Sequence, residues 1–99
     1  MAEIYSDSIF IEGMSPEDGY TKGIAASVKT FPNFVFWKKN QFARLFAIRE
    51  KNNQFSTINF FVVTKENGIE IEVRFNTKGL NLDQLKSMLQ SFKDEMTKE

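Results

Sequence analysis

From Ile69 to Phe75 the chain alternates strictly: Ile69, Ile71, Val73 and Phe75 are apolar, with Glu70, Glu72 and Arg74 between them. A period of two predicts a strand with one buried face and one wet face. Just upstream, Asn67-Gly68 suits a type I′ turn, because both residues accept positive φ. The run before it, residues 55 to 64, is rich in β-formers, so a hairpin is predicted here. After residue 80 the period changes. Leu82, Leu85, Met88, Leu89, Phe92 and Met96 recur at three- and four-residue spacing, the stripe of an amphipathic helix. Asn81 can cap it, with Gln84 in the capping-box position, and Lys78-Gly79 supplies the turn before it. The stripe is expected to cover the sheet, with Phe92 and Met96 as an alternative surface for a partner helix.

The middle is less regular. A strand near Ser8 to Glu12 is followed by Gly13 to Gly23, whose three glycines, proline and two acids predict a mobile loop. Ile24, Ala26 and Val28 alternate weakly and read as a strand that Pro32 ends. Turns are expected at Asn40 and at Glu50 to Gln54, with a strand from 41 to 49 between them. In that strand both faces carry apolar residues. The predicted class is α+β: an antiparallel sheet of about five strands with one C-terminal amphipathic helix. The chain reads as a single domain, 1–99, with an acidic N-terminal strand and loop (1–23), a sheet (24–76) and a helix (81–97). One helix covers one sheet face, so the second is expected to be open.

Ninety-nine residues suffice for one core. Formal charge is balanced, 13 bases against 13 acids, but segregated. Residues 1–21 carry five acids and no base; residues 22–51 carry seven bases against Glu50 alone. That basic block is also ring-rich: eight of the eleven Phe residues, and the only Trp, lie between positions 31 and 61. One small core is not expected to bury all those rings, and contiguous exposed apolar surface marks binding.

Cysteine and histidine are both absent. Their absence rules out disulfides, thiolate metal sites and the Ser-His, Cys-His and His-metal chemistries. The chain is therefore expected to be non-enzymatic, with no cofactor and no metal. Nothing in it is long enough to span a membrane, and the start lacks the pattern of a signal peptide, so a cytoplasmic location is expected. Glu70, Glu72 and Arg74 read as a solvated, self-neutralising face.

Rings interleaved with cations fit single-stranded nucleic acid, which offers base faces and phosphates together. On that reading Lys38, Lys39, Arg44 and Arg49 contact phosphates while Trp37, Phe42 and Phe46 stack bases. The alternative is a small protein-interaction module, an accessory protein of a phage or bacterium, that docks on a larger protein through the same face.

The stretch "KGLNLDQLKSMLQSFKDEM", residues 78–96, resembles the Lys-Gly, short Leu-containing segment and helix of the single-stranded-DNA-binding transcriptional coactivators. The layout over 34–99 is similar to theirs and to that of the Whirly and Pur domains. The resemblance implies a homodimer formed largely through the helices, and single strands bound on the open sheet face.

Overall fold

The computed structural model describes residues 4–76 and 81–98. Five strands and two helices follow in the order β1 (Ile4–Glu12), α1 (Pro16–Thr30), β2 (Phe34–Asn40), β3 (Leu45–Glu50), β4 (Asn53–Lys65), β5 (Gly68–Asn76) and α2 (Leu82–Thr97). The strands form one antiparallel sheet in the order β1-β5-β4-β3-β2, so the α+β class holds. The four later strands are a meander of hairpins. β1 returns to lie beside β5, which leaves β1 and β2 as the two edges.

α1 is the main departure from expectation: residues 16–23 are helix and not loop, and 24–30 continue it and are not a strand. Ser15 caps the helix by accepting from the Asp18 amide at 3.2 Å, Pro16 opens it, and Glu17 and Asp18 place negative charge on its positive end. Two of the glycines that read as loop residues, Gly19 and Gly23, belong to its buried face. A Cβ on Gly19 would collide with the Ile69 Cδ1, and one on Gly23 would press on the Phe46 ring at 3.1 Å. Each glycine costs the helix about 1 kcal/mol against alanine, and in exchange the helix axis approaches the sheet closely. Fifteen residues make a rod about 22 Å long. That matches the roughly 19 Å across five strands, and α1 must carry the chain from one sheet edge to the other.

α2 forms as predicted. Asn81 accepts from the Gln84 amide at 2.8 Å while the Gln84 side chain accepts from the Asn81 amide at 3.1 Å, a reciprocal capping box. Leu85, Leu89, Phe92 and Met96 are buried within this chain, so Phe92 and Met96 are not open to a partner helix. The Lys78-Gly79 turn lies outside the described residues.

The β4–β5 hairpin stands, but not through a type I′ turn. Lys65 pairs with Gly68 across Glu66 and Asn67, and neither Asn67 nor Gly68 has positive φ. Gly68 is needed for a different reason: a Cβ there would strike the Ile11 carbonyl oxygen of β1. In β5, Ile69, Ile71, Val73 and Phe75 are wholly buried while the alternate positions reach solvent.

Sheet and helices close on one aromatic layer. Phe46 stacks on Phe60 with centroids 4.5 Å apart, Phe60 meets Phe92 at 5.0 Å, and Phe31 touches Phe60 and Phe92 at 6.1 and 6.4 Å. All four rings are at most 1% exposed. Both helices therefore lie on one sheet face, and the other face is open, as the sequence implied.

Candidate functional site

Register assigns each ring and cation to a place. Across the open face, the pair Trp37 and Lys38 stands opposite Ala47, then Asn59, Arg74 and Ser6. A register shift between Phe36 and Lys38 creates this arrangement, because an extra residue sets two side chains against one. Val35, Arg49 and Thr57 follow in the next row, and Leu45 and Phe61 lie on the other side. Phe46, Ile48, Phe60 and Ile58 alternate onto the helix-covered face. The seven residues singled out by sequence thus do not share one surface. Trp37, Lys38 and Arg49 lie on the open face. Lys39 pairs with Phe46 in register, and its Nζ sits 4.4 Å from the Phe36 ring. Phe42 and Arg44 belong to the β2–β3 turn.

Phe46 is the clear correction. It has no exposed surface and is stacked between α1, the sheet and Phe60, so it cannot receive a base. The strand predicted from residue 41 begins only at Leu45. That delay takes Phe42 and Arg44 off the sheet and breaks the alternation on which a single ring-and-base face depended.

The turn itself is well defined. The Asn40 carboxamide oxygen accepts from the amides of Phe42 and Ala43 at 3.1 and 3.0 Å, a side-chain mimic of a backbone turn. Arg44 is the only non-glycine residue with positive φ among those described, at 53°. For a side chain other than glycine, this left-handed geometry costs about 1–2 kcal/mol. Two contacts hold it. The Val62 amide donates to the Arg44 carbonyl at 2.9 Å, and the Arg44 guanidinium donates to Glu17 Oε1 at 2.9 Å. The carboxyl of Glu17 is held below its usual range, first by its own backbone amide and then by Arg44.

On this braced turn Phe42 is 88% exposed, the most exposed large apolar residue in the described chain. It borders an open groove of about 350 Å³ lined by Glu17, Tyr20, Thr21, Gln41 and Arg44. Trp37, 53% exposed, stands on the preceding strand. Phe55 is also exposed, but it lies near the start of β4, at the opposite end of the β3 strand from Phe42, beside Arg49, Lys51 and Asn53. Glu17 and Tyr20 escaped the sequence reading because their segment read as a loop. Ser15-Pro16-Glu17-Asp18 was the signal that could have found them. Among the described residues no cluster of acids has metal-site geometry, and no helix is long and apolar enough to cross a membrane.

No family model matches the sequence, and no curated protein matches it. Solved structures do match in shape. Ara h 8.0201 aligns over 97% of this chain and 96% of its own, with a TM-score of 0.61 and 10% identity. Norcoclaurine synthase from Thalictrum flavum, in complex with dopamine and hydroxybenzaldehyde, aligns over 95% of this chain and 86% of its own, at a TM-score of 0.58 and 10% identity. A truncated form of that synthase covers 100% and 96%, again at 0.58 and 10%. These likenesses show the fold alone, a Bet v 1-like arrangement of sheet and helices. They overturn the resemblance to the coactivators, Whirly and Pur domains, whose Lys-Gly signature here falls at residues 78–79, outside the described part.

Proposed function

We propose that this protein is a non-enzymatic, cytoplasmic protein-interaction module that docks through the β2–β3 turn, with Phe42 as its anchor. The observation that carries this reading is an 88% exposed Phe42 on a turn with three separate braces. Leaving a phenyl ring in water forfeits about 1.5–3 kcal/mol relative to burying it. A turn that also keeps a strained Arg44 stores further free energy at the same point, as functional surfaces do. A fixed aromatic loses little entropy on binding, which is why such residues dominate interface energetics. Glu17, Thr21, Gln41 and Arg44 give the anchor a polar rim.

A small-molecule site inside the fold would need a cavity between sheet and helices. Phe31, Phe46, Phe60 and Phe92 occupy that layer, which favours a surface role. Splitting Trp37, Phe42 and Phe46 among three locations likewise favours a protein partner over a stacked single strand.

The reading is tested in cells that naturally express the protein, with a photo-crosslinking amino acid at position 42 of the full chain. One discrete protein adduct is expected there and none from the same probe at Val28, which is 58% exposed on α1. A nucleic-acid adduct, or identical adducts from both positions, would refute it.

A further inference from the structure

The two edges of the sheet are treated differently. β2 is broken by its register shift at Trp37 and carries Lys38 and Lys39, devices that blunt an edge against pairing. β1 pairs with β5 through nine consecutive positions without a shift. It contains no proline and no base, and its outer side has no neighbouring strand among the described residues. Ser6, Asp7 and Ser8 are exposed along it, and Phe10 is half exposed. The Ser8 amide donates to the Asp7 carboxylate at 2.8 Å, a contact within β1 that one more strand would replace.

Charge selects what that strand is. Asp7 and Glu12 lie on β1 itself, and Glu72 stands directly behind Ser8 on β5. None of the three has an ion-pair partner among the described residues, whereas Glu70 is held by Lys65 at 3.6 Å. An open groove of about 410 Å³ runs along this face past Ser6, Ser8, Glu70 and Glu72. The base in it, Arg74, lies over the Phe61 ring of β4, 5.3 Å from its centroid. A second β1 would add two more acids and no base to this edge, so charge does not favour self-pairing. On the helix side of the edge, Lys86 and Lys93 of α2 stand with Asp7 beside a second groove. Cations are therefore welcome on the open-face side and not on the helix side.

We infer that the β1 edge accepts an extended basic segment of a partner protein as a sixth strand, with Arg or Lys at alternate positions on the open face. Opposite Ser8, whose side chain is short, such a residue reaches across β1 to Glu72. Two strand spacings are about 9.6 Å, within the combined reach of an arginine and a glutamate side chain.

The probe is a synthetic peptide of about eight residues alternating Arg and Val, titrated into the isotope-labelled full chain and followed by NMR. The expected result is saturable shifts and slowed amide exchange along Ser6, Ser8 and Phe10, with β2 unmoved and a Glu-Val peptide inert. Glu72→Gln should weaken binding about two- to fivefold, as expected for losing one solvent-accessible ion pair, while leaving the free spectrum otherwise intact. Equal binding of the acidic peptide, shifts centred on β2, no binding, or β1 amides already protected in a concentration-dependent dimer would each overturn the inference. Phe42 plays no part in this test, so it stands or fails apart from the proposed docking turn.

Discussion

Replacing Phe60 by alanine tests the filled aromatic layer on which the surface role rests. Phe60 has no exposed surface and touches Phe31, Phe46 and Phe92 at 6.1, 4.5 and 5.0 Å between centroids. Loss of its transfer free energy costs about 1.5–3 kcal/mol. The surrounding rings sit at the C-cap of α1, on α2 and on a paired strand, so they cannot collapse fully into the gap. A cavity term therefore brings the total to about 3–5 kcal/mol. A domain of this size has roughly 5–15 kcal/mol in all, so the variant should lose at least about a fifth of its stability. Its melting midpoint should fall by more than about 10 °C. Urea unfolding followed by far-UV circular dichroism measures this directly, because Trp37 is half exposed and reports the core poorly. Phe55→Ala, at a 70% exposed ring, should stay within about 0.5 kcal/mol. If Phe60→Ala cost less than about 1.5 kcal/mol, with Phe55→Ala unchanged, the ring would already face open space. The layer would then be a ligand cavity, and the case for a purely surface role would collapse.

Three further outcomes follow from local geometry. Gly68→Ala should destabilise more than Gly13→Ala in chemical denaturation: its Cβ meets the Ile11 carbonyl of a paired strand, whereas Gly13 has open space and only a positive φ of 79° to satisfy. Asn81→Ala removes one half of the capping box on α2 and should cost about 1 kcal/mol, seen as a lower midpoint with unchanged folded-state helicity. Glu17 has a folded pKa below its ordinary 4.5, so its stabilising contribution is fully present above that value and fades as pH falls through the lowered one. The stability gap between wild type and Glu17→Gln should therefore close on acidification, and a gap that widened would reverse the sign of this reasoning.

Local pattern determined much of the molecule. The 69–75 alternation became β5 because a period of two places one set of side chains on one face whatever the neighbours are. Asn81 and Gln84 fixed the start of α2 because a capping box is satisfied within four residues. The open sheet face followed from having too few covering elements. Tertiary structure decided the rest. Gly19 and Gly23 read as loop residues because their helix cost is local, while the close approach to Ile69 and Phe46 that offsets it is long-range. Phe42 and Phe46 looked equivalent from their composition and spacing. A turn held by Asn40 and closed by a left-handed Arg44 placed one in water and the other at the centre of the core. The edge position of β1 carries no distinguishing local mark either. Only the strand order shows that β1 has an unpaired side and that Glu72 lies behind it, because pairing partners are chosen by the packing of the whole sheet.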